Sequence, residues 1–120
     1  MMSMEARAIL RNAEVSVKNA IPVCDAIRGM KVNKAIRFLE EVLKKKKSIK
    51  GKYYTKTVKI ILDVLKAAKA NALQKNMNEE KLYIKVIKVD KGERILLPKK
   101  AKYAGRIKKA SHITIVLGER

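Results

Sequence analysis

Aromatic side chains are nearly missing. Phe38 and the tyrosines Tyr53, Tyr54, Tyr83 and Tyr103 are all the chain has, with no tryptophan, in 120 residues. Any core must therefore be aliphatic, and a platform of stacked aromatics of the kind that holds single-stranded nucleic acid is not available. Cys24 is the only cysteine, which rules out an internal disulfide and a multi-cysteine zinc site. His112 is the only histidine, and Ser111 beside it cannot partner it in catalysis, because adjacent strand residues point to opposite faces. Acids are scarce, and the pairs Glu40–Glu41 and Glu79–Glu80 read as helix-end and solubility charges rather than acid–base couples. There is no glycine-rich phosphate loop, metal-ligand spacing or nucleophile elbow. No apolar run approaches the roughly 18 residues a membrane span needs. The first residues, with Glu5, Arg7 and Arg11, lack the apolar stretch of a signal peptide. Together these absences speak against an enzyme, a cofactor or small-molecule binder, a disulfide-stapled domain and a membrane protein.

What the chain does have is positive charge. Thirty Lys and Arg against eleven Asp and Glu give +19, on a chain that is 48% hydrophobic and long enough for one modest core. Such an excess destabilises a compact state by self-repulsion and calls for a polyanionic partner. The charge is concentrated. Lys44 to Lys59 holds eight lysines and no acid, and Lys91 to Ala110 holds eight basic residues and only Glu93. These 36 residues carry +15, and the other 84 carry +4. Lysine-rich, aromatic-poor segments suit phosphate contact and the reading of RNA shape. The candidate contacts are Lys44, Lys45, Lys46, Lys47, Lys50 and Lys52 in the first segment. In the second they are Lys91, Arg94, Lys99, Lys100, Lys102, Arg106, Lys108 and Lys109, with Tyr103 either stacking on a base or packing locally.

Periodicity predicts one domain over residues 1–120. Residues 4–13 alternate, with Ala6, Ala8 and Leu10 on one side and Arg7, Ile9 and Arg11 on a basic other side, which predicts a strand. Ser16 is placed to cap a helix that Gly29 stops near Arg28, with Ala20, Ile21, Cys24 and Ile27 as its stripe and Pro22 as a bend or a late start. Asn33 is placed to cap a second helix to about Lys45, with Val32, Ile36, Leu39 and Leu43 inward. A third helix is expected from Thr55 or Thr57 to about Asn76, its face made by Val58, Ile61, Leu62, Leu65, Ala68, Ala72 and Leu73. Ala67, Ala68, Ala70 and Ala72 predict close packing there. Residues 81–90 and 111–117 read as strands, the second with Ile113, Ile115 and Leu117 on one face. The twenty basic residues between them are too long for a tight turn; as a ribbon, each arm of about ten residues reaches roughly 30 Å. Pro98 to Gly105 has little to bury, so the tip is expected to order only on RNA.

Several motifs taken in order resemble the large-subunit ribosomal protein family numbered twenty-two in bacteria and seventeen in eukaryotes. Ser16–Val17–Lys18 followed by Ala26–Ile27–Arg28–Gly29 is similar to the family's first helix and its end. Val32 to Leu43 resembles its second helix, and Leu65 to Leu73 with Leu82–Tyr83–Ile84 its third helix and following strand. Ser111–His112–Ile113–Thr114 is similar to its closing strand. The Glu-Glu-Val end of the second helix and the insert before the third look archaeal. The departures are Pro22, a shorter insert than archaeal relatives have, and Lys99–Lys100 after Pro98 where the family has Arg-Ala. The resemblance implies an α+β fold, three helices on a small three-stranded antiparallel sheet, with a long protruding β-hairpin. It implies a non-enzymatic component of the large subunit of the cytoplasmic ribosome, bound to large-subunit ribosomal RNA beside neighbouring ribosomal proteins, with a hairpin that lines the nascent-peptide exit tunnel and meets the nascent peptide at its tip. Arg7, Arg11, Lys18 and Arg28 of the body join the candidate RNA contacts. The competing reading is a DNA-binding or chromatin protein, which needs a helix with basic and amide side chains exposed on one face, as Lys59, Lys66, Lys69 and Asn71 could provide. Binding to a membrane surface needs a basic amphipathic helix, and here the basic segments are loops.

Overall fold

The computed structural model describes residues 5–13, 15–45, 47–49, 51, 53–91, 95–96, 107–108 and 111–119. The expected tip, Pro98 to Gly105, lies outside them. The elements are β1 (Glu5–Ala13), α1 (Val17–Ile27), α2 (Val32–Leu43), α3 (Thr55–Gln74), a single 3₁₀ turn (Glu79–Lys81), β2 (Leu82–Lys91), β3 (Ile95–Leu96), β4 (Ile107–Lys108) and β5 (Ser111–Glu119). The fold is the α+β arrangement of three helices and a three-stranded antiparallel sheet, ordered β1–β5–β2. β3 and β4 pair in a separate antiparallel ladder, Ile95 opposite Lys108 and Leu96 opposite Ile107, which forms the described part of the hairpin.

Helices cover one face of the sheet. α3 packs on β1 and β5, α1 packs on β2, and α2 packs on α3. Between these layers Ile113, Ile115 and Leu117 of β5 are wholly buried with Ala6, Leu82, Ile84, Ile87, Ile61 and Leu65. Each such aliphatic side chain contributes about 1.5–3 kcal/mol by leaving water, so the sheet and α3 form the core. Cys24 lies in it, and burial pushes its thiol up to about 11, which makes it an inert apolar side chain.

Helix ends follow backbone chemistry more than the expected side-chain caps. Gly29, at φ +78°, takes the left-handed position that stops α1, as its sequence position predicts. α3 closes on Asn76 at φ +60°, with the Asn76 and Met77 amides donating to the Leu73 and Ala72 carbonyls. Ser16 stands at the start of α1, but its hydroxyl makes no cap, and its carbonyl accepts from the Asn19 and Ala20 amides instead. Asn33 is no cap at all: α2 begins at Val32, and the Asn33 side chain accepts from Lys69 Nζ at 3.0 Å. Pro22 sits inside an unbroken α1.

Four inward assignments need correction. Ile21 is 48% exposed and Val23 fills its place in the stripe; Leu73 is 43% exposed at the end of α3, and Ala67 and Ala70 face solvent. In α2, Ala35 and Val42 are buried while Ile36 and Leu43 flank them.

Both sheet edges are partly closed. On β2, the Ile84 amide donates to the Met30 carbonyl at 2.9 Å and Tyr83 bridges to Lys31. On β1, Asn71 Nδ2 donates to the Arg7 carbonyl at 3.0 Å and Lys75 Nζ to the Glu5 carbonyl at 2.9 Å.

Candidate nucleic-acid interface

Of the nineteen candidate contact residues, eight have described side chains, and all eight are exposed: Arg7, Arg11, Lys18, Arg28, Lys44, Lys45, Lys47 and Lys91. Lys46, Lys50, Lys52, Arg94, Lys99, Lys100, Lys102, Tyr103, Arg106 and Lys109 lie outside the described residues; Lys108 is placed in β4 by its backbone alone.

The linker between α2 and α3 is held at both ends by left-handed residues. Lys45 at φ +60° ends α2 where glycine is the usual choice, and Tyr54 at φ +42° precedes α3. Each such non-glycine residue costs roughly 1–2 kcal/mol. Ile49 is buried and ties the linker to the core. Lys45 Nζ lies 5.8 Å from the centre of the Tyr53 ring, and Lys47 Nζ lies 5.9 Å from that of Phe38 and 3.0 Å from Glu41 Oε2. The described residues of the linker thus form a cationic surface anchored on α2.

Helix starts add to it. None of the three helices has an acid in its first turn, and Lys18, Lys34 and Lys56 stand there instead. That is the reverse of what stabilises a helix alone, since the N-terminal end of the dipole is already positive. It is what an anion outside the protein would favour.

A second cationic surface lies on the sheet face away from the helices. Here β5 presents Thr114 and Val116, with Arg7 opposite Val116 on β1 and Lys88 opposite Thr114 on β2. With Glu5, Ile9 and Val86 they line a shallow depression of about 240 Å³. Lys85 is neutralised beside it: its ammonium bonds Glu5, holding that carboxyl below the usual range and raising the lysine. Arg7 and Lys88 have no carboxylate partner among the described residues. Lys88 is a residue that strand alternation does not single out. A β-bulge at Lys85 shifts the register between Ile84 and Val86, so Ile84 and Ile87, three apart, both face the core and Lys88 turns outward.

Of the four side chains that a DNA-reading helix would need, three are engaged within the fold, and Lys59 is exposed with no carboxylate partner among the described residues. Lys66 pairs with Glu40 at 3.8 Å, Lys69 with Glu79 at 2.7 Å, and Asn71 holds the β1 edge. The Glu79 carboxyl is held below its usual range, chiefly by the Lys69 hydrogen bond. Among the described residues, no helix is long and apolar enough to cross a membrane.

Residues 8–118 match the family model described as ribosomal protein L22p/L17e. The chain belongs to this family. Members of the L22p/L17e family are structural ribosomal proteins, not enzymes. The chain is 35% identical over 136 residues to a large ribosomal subunit protein uL22 of Methanocaldococcus jannaschii, covering 95% of this chain and 87% of that one. It is 38% identical over 120 residues to the uL22 of Desulfotalea psychrophila (97% and 99% covered) and 36% over 121 to that of Thermus thermophilus (98% and 97%). The match to the Methanocaldococcus protein is 136 positions long against a chain of 120, so that relative carries at least 16 positions this chain lacks.

Proposed function

We propose that the chain is a structural component of the large ribosomal subunit and binds large-subunit ribosomal RNA. The contacts are its two basic segments, Lys18 at the start of α1 and Arg28 at its end, and the outer sheet face at Arg7 and Arg11. In this reading the chain works as one domain, and the basic hairpin of residues 91–110 reaches along the nascent-peptide exit tunnel, where its tip meets the nascent peptide. The observation that carries it is how the charge divides. Within the body, Lys66, Lys69 and Lys85 are matched to carboxylates, as are the candidate contacts Arg28 (to Asp25) and Lys47 (to Glu41), whereas Arg7, Lys44, Lys45, Lys88 and Lys91 are exposed and unmatched by any described acid. Such cations gain by displacing the counterions condensed on phosphates. A-form RNA exposes phosphates and sugars and hides its base edges, so a surface of lysines on a fixed frame suits it.

Cross-linking in assembled ribosomes tests this. Photoreactive residues at Lys45 and Lys100 should join large-subunit ribosomal RNA, and one at Lys102 the nascent peptide. Recovery of DNA in place of RNA would favour the chromatin reading; absence of peptide adducts at the tip would remove the tunnel role and leave the RNA role standing.

A further inference from the structure

Between β1 and α3 runs an open apolar groove of about 300 Å³, lined chiefly by Ile9, Leu10, Ile60, Asp63, Val64 and Ala67. We infer that it receives an extended, basic segment of a neighbouring protein, which adds beside β1 as a fourth strand. This draws on the ribosomal reading only for the source of such a segment; the chemistry of the groove is independent of it.

The main chain of β1 indicates the kind of ligand. Along a strand, alternate residues turn their amide and carbonyl to opposite edges. The Glu5 and Arg7 carbonyls point to the free edge, since Lys75 and Asn71 of α3 donate to them there. By the same alternation Ile9, next in that series, turns its amide and carbonyl to the free edge, where no loop or side-chain group among the described residues bonds them. On α3, Ile60, Asp63, Val64, Ala67, Asn71 and Lys75 follow one another along a single helical stripe. The C-terminal half of this stripe closes the edge with long polar side chains. The N-terminal half stops short at Val64 and Ala67 and leaves the edge open, with Ile9 48% and Leu10 38% exposed above it. An outward amide and carbonyl over an aliphatic floor is what strand addition uses.

Charge selects among occupants. Asp63 is the only acid in α3, lies in the groove, and has no partner among the described residues. A carboxylate there repels phosphate and attracts lysine or arginine, so the groove does not extend the RNA surface. A second copy fits poorly: antiparallel pairing of two β1 strands about Ile9 sets Arg7 of each against Arg11 of the other, and like charges directly opposite destabilise a strand pair.

The test uses the full chain and a synthetic peptide of alternating valine with lysine and threonine, at physiological salt. Binding is read at the Ile9, Leu10 and Val64 NMR signals, because an acidic peptide would attach anywhere on so basic a chain. The basic peptide should shift those signals, and a version with glutamate for lysine should do so about tenfold more weakly. Asp63→Lys should reverse that order. Methylating alternate peptide amides should abolish the shifts, and Ala67→Trp, a filling substitution at an exposed position, should do the same with the rest of the spectrum and the ribosomal RNA affinity unchanged. The inference fails if Asp63→Lys leaves the preference unaltered, if methylation has no effect, or if no peptide shifts those signals. It also fails if they move with protein concentration alone, which would mean self-pairing, or if Ala67→Trp lowers RNA affinity. Wild-type protein that binds the peptide and not the RNA would overturn the ribosomal reading and leave this one intact.

Discussion

The two faces of β5 are made by alternate residues of one strand and are finished in different ways. Ile113, Ile115 and Leu117 turn inward and are sealed by α3 and by neighbouring strands of the same chain. Thr114 and Val116 turn outward and are covered only by the side chains around them, Arg7 and Lys88 among them, while Ile9 and Val86 remain largely exposed. The inner face is complete without a partner. The outer face is a cationic rim around a small aliphatic floor, a surface finished by something anionic that lies on it. Stability and binding should therefore respond to different changes.

The largest expected effect is on binding. Raising salt from about 50 to 200 mM should weaken affinity for large-subunit ribosomal RNA roughly 10³–10⁵-fold if about 6–10 phosphates are contacted. The unfolding midpoint should instead rise modestly over the same range, because salt screens the mutual repulsion of the +19 charge and leaves the uncharged inner face as it is. A flat response in filter binding would end the electrostatic account. Next come inner-face truncations. Leu65→Ala and Ile115→Ala should each cost about 2–5 kcal/mol in denaturant titration, against little for Lys66→Ala. Equal, small losses would mean that the faces of α3 are misassigned. Outer-face truncations should do the opposite: Arg7→Ala or Lys88→Ala should reduce the salt slope of RNA binding by about one while leaving stability within about 0.5 kcal/mol.

The smallest effect concerns Glu5 and Lys85. The depressed Glu5 pKa means that the pair's contribution is present above the ordinary value of 4.5 and is lost as pH falls through the folded value. The raised Lys85 pKa means that it is also full below 10.5 and is lost as pH rises past the folded one. Glu5→Gln should thus lower stability slightly between these limits, and the difference from wild type should vanish in acid. Both groups are exposed, so the effect is small at any pH. A pH-independent difference would show that the ion pair contributes nothing.

Helical elements were legible in the sequence where bulk and period agree. Val58, Ile61, Leu62, Leu65, Ala68 and Ala72 are buried as their spacing predicts, and Thr55 begins the helix. Ile21 and Leu73 misled because size was taken for direction: Val23 is smaller but lies nearer the centre of the stripe, and Leu73 stands at the end of α3. The register shift at Lys85 was invisible, since a bulge depends on how two distant strands pair and leaves no local mark. The cations of the candidate interface were legible as types and clusters. Which of them remain unmatched was not, because Lys85 meets Glu5 eighty positions away and Lys69 meets Asn33 across two helices.

The strand order has a consequence for the timing of synthesis. β1 and β2 share no ladder, and apart from the Lys85–Glu5 ion pair each joins the sheet only through β5. Ala6 therefore waits for Leu117. At a synthesis rate of about 5–20 residues per second, that wait lasts roughly 5–20 seconds. During it the helices have no complete sheet to pack on, and by its end both basic segments are made. A chain halted before residue 111 would present all of that charge without the strand that joins β1 to β2, so the three-stranded sheet closes only at the end of synthesis.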